Sequence, residues 1–256
     1  MRKALALLVF SLGVLVTGLA QQQLIVSAAA SLTDVLTALQ PAAETFVGAR
    51  ILFNFGASGA LRRQVEEGAP VDVFFSAAAM DMDKLETEGM IVTATRRNML
   101  SNAMVLVGDA GIAPPVGVDG LRALLSQAQF LAIGNPDSVP AGRYAVQALT
   151  TYGLYTIVEH KLVLGGNVRE VLQFVESGSA PLGIVFVTDA LAVKPGSPVR
   201  QLFVFPKDAL TTPILYPAAV VSATKNGQAA SKMIEFLRGP ISREAFRAAG
   251  FIVTPE

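Results

Sequence analysis

The chain has 256 residues, with 20 basic and 20 acidic side chains, a single histidine and no cysteine. Zero net charge without a basic run is a poor match for nucleic acid, and the missing cysteine excludes disulfides and a lipid-bearing cysteine. The length, 52% apolar, suffices for one large domain or two lobes.

Residues Met1-Arg2-Lys3 precede an apolar run over 4–19, and Gly18-Leu19-Ala20 stands before Gln21-Gln22-Gln23. A basic start, a short apolar core and small residues at its end make a secretory leader. Residues 1–20 are therefore read as a signal peptide cut after Ala20. The run is short beside the roughly 20 residues of a membrane span; an uncleaved anchor is the alternative reading. Loss of Arg2 and Lys3 with the leader gives a net charge of −2. The product is expected in the periplasm, soluble and monomeric.

From there the pattern predicts a strand over 23–28 and a helix over 32–46, interrupted at Pro41. A strand over 50–55, a helix over 59–67, a strand over 71–76 and a helix over 80–88 follow. After a strand over 103–107, the Gly- and Pro-rich stretch 109–119 reads as a loop. Next come a helix over 121–125, a strand over 130–134, a helix over 141–152, a strand over 161–164, a helix over 168–177 and strands over 182–187 and 201–205. Residues 206–213 read as a linker, before a strand over 214–221 and helices over 228–238 and 242–249. Such alternation argues an α/β fold with mostly parallel sheets. Two lobes are expected, 21–102 plus 212–256 and 103–211, with a ligand cleft between them and two crossings to hinge about.

Four turns share one character, small residues between a strand and a helix start. In Ala28-Ala29-Ala30-Ser31-Leu32-Thr33-Asp34, Ser31 is placed to cap the helix, with Asp34 three residues on. The second turn is Asn54-Phe55-Gly56-Ala57-Ser58-Gly59. In the third, Asn135-Pro136-Asp137-Ser138-Val139-Pro140-Ala141-Gly142, Pro140 pre-sets a helical start and Ala141 presents a bare N–H. In the fourth, Gly165-Gly166-Asn167-Val168-Arg169-Glu170, Asn167 is an N-cap and Glu170 completes a capping box. Helix starts beyond strand ends line the crevice of open α/β sheets. Their free N–H groups and dipoles attract anions. Hydroxyls and backbone N–H groups form an all-donor site, suited to a fully ionised tetrahedral dianion that has acceptors only.

The runs Ala28-Ala29-Ala30-Ser31-Leu32, Gly68-Ala69-Pro70-Val71-Asp72-Val73-Phe74, Val139-Pro140-Ala141-Gly142 and Ala180-Pro181-Leu182-Gly183-Ile184-Val185 occur in an order and spacing that resembles the periplasmic molybdate-binding proteins of ABC importers. The resemblance covers essentially the whole chain beyond the leader. It implies a two-lobed periplasmic-binding-protein fold of type II that closes on molybdate or tungstate, needs no cofactor and delivers its cargo to transporter membrane subunits. Carried over, it gives Ser31 and Ser58 as donors through hydroxyl and backbone N–H, and Ala141 and Val168 as donors through backbone N–H. The oxyanion would be held without direct coordination of its metal. The family's tyrosine donor falls at Phe186, which has no hydroxyl, so one hydrogen bond fewer is expected or a substitute for it. The family's Asp at Ala78 is also absent, with only a local loss of capping expected. Discrimination against the smaller sulfate would come from the spacing of the donors.

Other readings are weaker. Gly56-Ala57-Ser58-Gly59 lacks the spacing of a nucleophile elbow, and His160 lies far off as the only histidine base. The chain is therefore expected not to be an enzyme. His160 and the pairs Arg62-Arg63 and Arg96-Arg97 are expected to be solvated. Arg169, beside Val168, would add attraction for an anion at longer range. The alternative cargo is another tetrahedral oxyanion such as sulfate or phosphate.

Overall fold

A computed structural model describes residues 22–255, so the leader expected over 1–20 lies outside the described residues. The chain runs through strand β1 (Gln23–Ala29), helix α1 (Thr33–Val47), β2 (Arg50–Gly56), α2 (Ser58–Glu66), β3 (Val73–Phe75), α3 (Ala79–Thr87) and β4 (Arg97–Ser101). It then builds β5 (Met104–Asp109), α4 (Gly117–Gln127), β6 (Leu131–Gly134), α5 (Pro140–Thr151), α6 (Tyr155–Val158), β7 (Leu162–Gly165), α7 (Val168–Glu176), β8 (Leu182–Phe186), α8 (Val187–Leu191) and β9 (Val199–Val204). It closes with β10 (Leu215–Val220), α9 (Gly227–Arg238), α10 (Pro240–Ala248) and β11 (Ile252–Val253).

Two sheets result, ordered β11-β4-β10-β3-β1-β2 and β7-β6-β8-β5-β9, each flanked by helices. The chain passes from the first to the second through Asn102 and Ala103, and returns between β9 and β10. Both sheets are mixed, which corrects the expectation of mostly parallel pairing. The pairs β1–β2, β1–β3, β6–β7 and β6–β8 are parallel. The strands next to the crossings, β4, β5, β9 and β10, pair antiparallel. A strand arriving from the other sheet needs no crossover helix, so nothing imposes the parallel direction on it.

Burial explains the strands. Met104 to Val107 in β5 are 0% exposed, as suits a strand covered on both faces. Helix α1 buries Val35, Leu36, Leu39, Ala43 and Val47 on one stripe. It runs unbroken through Pro41, because Pro removes one N–H while the apolar stripe continues on both sides of it. It stops at Gly48, whose φ of 77° is readily adopted only by glycine and whose N–H bonds Glu44 O. Strands β4 and β11 and helices α6 and α8 were not predicted. Strand β4 is held by β10 and β11, both distant in sequence. Strand β10 carries Pro217 at a register shift beside Tyr216, where a strand tolerates proline.

One close approach fixes α5. A Cβ on Gly142 would lie 1.8 Å from Gly134 O, so only glycine lets the first turn of α5 rest on the end of β6. Among the described residues three carboxylates are buried, Asp72, Asp81 and Asp189, and Asp189 is the most deeply buried of them. At 0% exposure it pairs with Arg169 at 2.7 Å. Burial pushes its carboxyl up to about 6, against the opposing pull of Arg169.

Gly142→Ala is expected to lower unfolding free energy by about 1–3 kcal/mol or more, as overpacking does; a denaturant midpoint equal to that of the native chain contradicts the close-approach reading. The raised carboxyl of Asp189 has a definite sign. Its contribution to stability is complete below the ordinary carboxylate pKa of about 4 and is lost as pH rises through about 6. Unfolding curves from pH 4.5 to 7.5 should show this fall in the native chain and lack it in Asp189→Asn; equal slopes in the two proteins exclude it.

Candidate functional site

Where the two sheets face each other, four chain turns meet at one small pocket. Ser31, Ser58, Ala141, Val168 and Phe186 all line it, with Ala30, Gly56, Ala57, Ala77 and Pro140 among their neighbours. The five positions singled out from sequence are thus brought together. Ser31 and Ser58 come from the first sheet's side, and Ala141, Val168 and Phe186 from the second.

Each helix start leaves an inward N–H without an acceptor in its own helix. Ser58 is the first residue of α2; Ala60 and Leu61 bond to Ala57 O, and Gly59 N–H donates to Ser138 O at 2.9 Å. That leaves the Ser58 N–H. In α5, Pro140 has no N–H, and Gly142 and Arg143 bond to Val139 O. That leaves the Ala141 N–H. In α7, Asn167 Oδ1 accepts from the N–H groups of Arg169 and Glu170 at 2.9 and 3.1 Å. The cap thereby passes over Val168. Glu170 accepts from Gly166 N–H at 2.6 Å, one residue before the partner that a capping box prescribes.

The hydroxyls behave differently from expectation. Ser31 does not cap α1. It sits in a 3-10 turn, Ala30–Leu32, and the residue before α1 makes no side-chain cap bond. The small side chains of Ala29 and Ala30 let the chain tighten there, and Thr33 Oγ1 donates to Ala30 O instead, at 2.7 Å. The Ser31 hydroxyl meets Tyr216 Oη at 3.1 Å. Asp34 reaches across to Arg169 at 2.7 Å. Ser58 Oγ accepts from Ala77 N–H at 2.9 Å, which leaves its own proton for the pocket. Ala78 precedes α3 without a side-chain cap, as the missing aspartate implied. In its place Ser76 Oγ accepts from Ala78 N–H at 3.1 Å.

Phe186, 1% exposed, closes one wall. Its ring packs between those of Tyr144 and Tyr216, with centroids 6.3 and 5.8 Å away. Burial pushes the Tyr144 phenol up to about 12 and that of Tyr216 well above its usual range. Both are neutral donors at any physiological pH.

Among the described residues no charged side chain lines the pocket. Arg169 is engaged by Asp34 and Asp189, both at 2.7 Å, so its guanidinium is spoken for. Arg143 of α5 pairs with the buried Asp81 of α3, which Arg62 also approaches. These pairs correct the view of Arg62 as solvated; Arg96 likewise pairs with Asp83 and Glu86. Asp34–Arg169, Asp81–Arg143 and Gly59–Ser138 each join elements of the two sheets and close the cleft around the pocket. Sequence reasoning missed Tyr216, Asn102 and these pairings. Only the apolar flanks of Tyr216 marked it, and those read simply as strand. Among the described residues no group of three or more His, Cys, Asp or Glu is placed to hold a metal ion, and no helix is long and apolar enough to cross a membrane.

Comparison with known proteins gives this arrangement its relatives. The molybdate-binding protein ModA of Escherichia coli is 36% identical over 232 residues, 89% of this chain and 88% of its own. The periplasmic molybdate-binding protein of Azotobacter vinelandii superposes with a TM-score of 0.75 at 26% identity, over 91% of this chain and all of its own. The sulfate-binding protein SubI of Mycobacterium tuberculosis shares the fold, with a TM-score of 0.76 at 20% identity, over 90% of this chain and 86% of its own. The sequence profile for bacterial extracellular solute-binding proteins matches residues 24–252, and the chain belongs to that family.

Proposed function

We propose that this chain is an extracytoplasmic receptor that captures molybdate or tungstate and delivers it to the membrane subunits of an ABC importer. The observation that carries the reading is the convergence, on one uncharged pocket, of N–H groups from three helix starts and two serine hydroxyls. Ser31 and Ser58 donate through hydroxyl and backbone N–H, and Ala141 and Val168 through backbone N–H. Each charge-assisted bond contributes about 1.5–3 kcal/mol. A handful accounts for micromolar or tighter binding, about −8 kcal/mol or beyond. Phe186 supplies only shape.

On this reading residues 21–102 plus 212–256 and 103–211 are the two lobes, and the chain works as an exported, periplasmic monomer once residues 1–20 are removed. It binds and releases its cargo without catalysing a reaction, and nucleic acid is not among its partners. A fully ionised tetrahedral dianion satisfies every donor, whereas a protonated oxyanion brings a hydrogen that finds no acceptor. Sulfate has the same charge and shorter bonds, so it leaves the donors stretched.

The relatives support the choice of cargo. The E. coli and A. vinelandii proteins are molybdate binders, and the sulfate binder shares the fold at lower identity.

Titration calorimetry of the ligand-stripped protein with molybdate, tungstate and sulfate tests the assignment. Heat and a raised melting temperature are expected with the first two, and sulfate tighter than molybdate overturns it. Val168→Pro removes one donor where proline is tolerated in a helix. It should weaken molybdate about tenfold or more and leave the apo melting temperature close to that of the native chain. Undiminished affinity takes Val168 out of the site.

A further inference from the structure

Asn102 lies on the first connection between the sheets, and Tyr216 on the strand that follows the second. Asn102 Oδ1 accepts from Ala103 N–H at 2.9 Å. A backbone N–H can only donate, so this bond fixes which way the amide faces. Asn102 Nδ2 therefore turns inward and donates to Thr188 Oγ1 at 2.9 Å and to Tyr216 Oη at 3.1 Å. The Tyr216 oxygen is thus an acceptor on one side. Its single proton has Ser31 Oγ as partner, at 3.1 Å. Ser31 Oγ then receives a hydrogen bond from behind, and its own proton is left to point into the pocket. Tyr216 is 0% exposed and Ser31 3%, so water has little access to disturb this order.

We infer that Tyr216 is a positioning residue, which with Asn102 orients the Ser31 hydroxyl as a donor toward the bound anion. The inference rests on the proposed function, and it adds a residue that touches Ser31 rather than the anion. It also states how the pocket manages without a hydroxyl at Phe186. The phenol that packs against that ring acts one atom further back, through serine.

Tyr216→Phe removes the hydroxyl and keeps the ring. Molybdate affinity, measured by calorimetry, should fall about tenfold, the worth of one oriented bond to an anion. The deciding measurement is the cycle with Ser31→Ala. If Tyr216 acts through Ser31, adding Tyr216→Phe to Ser31→Ala should change affinity less than twofold, since coupled residues do not add. Independent, additive losses overturn the inference, as does a Tyr216→Phe protein that binds like the native chain. A melting curve of each apo protein checks folding. Should Tyr216→Phe not fold, Asn102→Ala removes the donor that sets the order and is read in the same cycle. A native chain that binds none of molybdate, tungstate or sulfate overturns the proposed function and this inference with it. Binding with additive losses overturns this inference alone.

Discussion

Everything in this molecule answers to one constraint. The first N–H groups of a helix have no acceptor in their own helix, and three helices here point theirs at one buried place. Burying unpaired donors is unfavourable unless something accepts from them. The fold meets part of that demand internally, through the Asn167 cap, the Gly59–Ser138 bond and the acceptance of Ala77 N–H by Ser58. What is left over, at Ser58, Ala141 and Val168, is what the proposed reading offers to the anion. The cores behind the two sheets hold those ends in register. The glycine contact between Gly142 and Gly134 shows how little room the arrangement has to relax.

What was legible in the sequence was whatever is written locally. Asn167 before Val168, Pro140 before Ala141 and the small residues around Ser58 each declare a helix start within a few positions, and all three appear where expected. The strands buried on both faces are equally plain. Ser31 was misread for an instructive reason. A serine followed three residues later by an acid fits a cap, but the chain tightens into a 3-10 turn there and gives the serine to Tyr216, 185 positions away. Long-range partners left no local trace. That holds for Tyr216 and Asn102, for Asp34 with Arg169, and for β4, whose ends are polar and whose pairing comes from the far end of the chain. The direction of β5 and β10 was hidden likewise, because alternation of elements does not encode where the chain changes sheet.

Charge is placed around the pocket and kept out of it. Arg169 and Arg143 stand near the helix starts that supply donors, yet both are held by carboxylates. A free guanidinium in the pocket would attract anions of many shapes, since its long-range pull scales with charge. Fixed N–H groups act only over hydrogen-bond distance. On the proposed reading, neutralising the arginines leaves recognition to donor spacing, and spacing is what separates ions of equal charge and different radius. The buried Asp189 serves this end at some expense of stability: its raised pKa measures the unfavourable burial that Arg169 only partly offsets.

The same ion pairs bear on closure. Asp34 is 63% exposed and Arg169 26%, so their attraction across the cleft is screened and worth at most about 1 kcal/mol. The pair Asp81–Arg143 is better buried on the carboxylate side, but Arg62 also approaches Asp81, which blunts the loss if the cleft opens. Contacts of this size align the lobes without locking them. A ligand shifts such an equilibrium only by its differential affinity for the two states. An anion bonded to Ser31 and Ser58 on one side and to Ala141 and Val168 on the other has its full set of donors only when the cleft is closed. On the proposed reading, then, closing free energy comes from the cargo, and a lobe pair held weakly without it is what lets the same donors give the cargo up again.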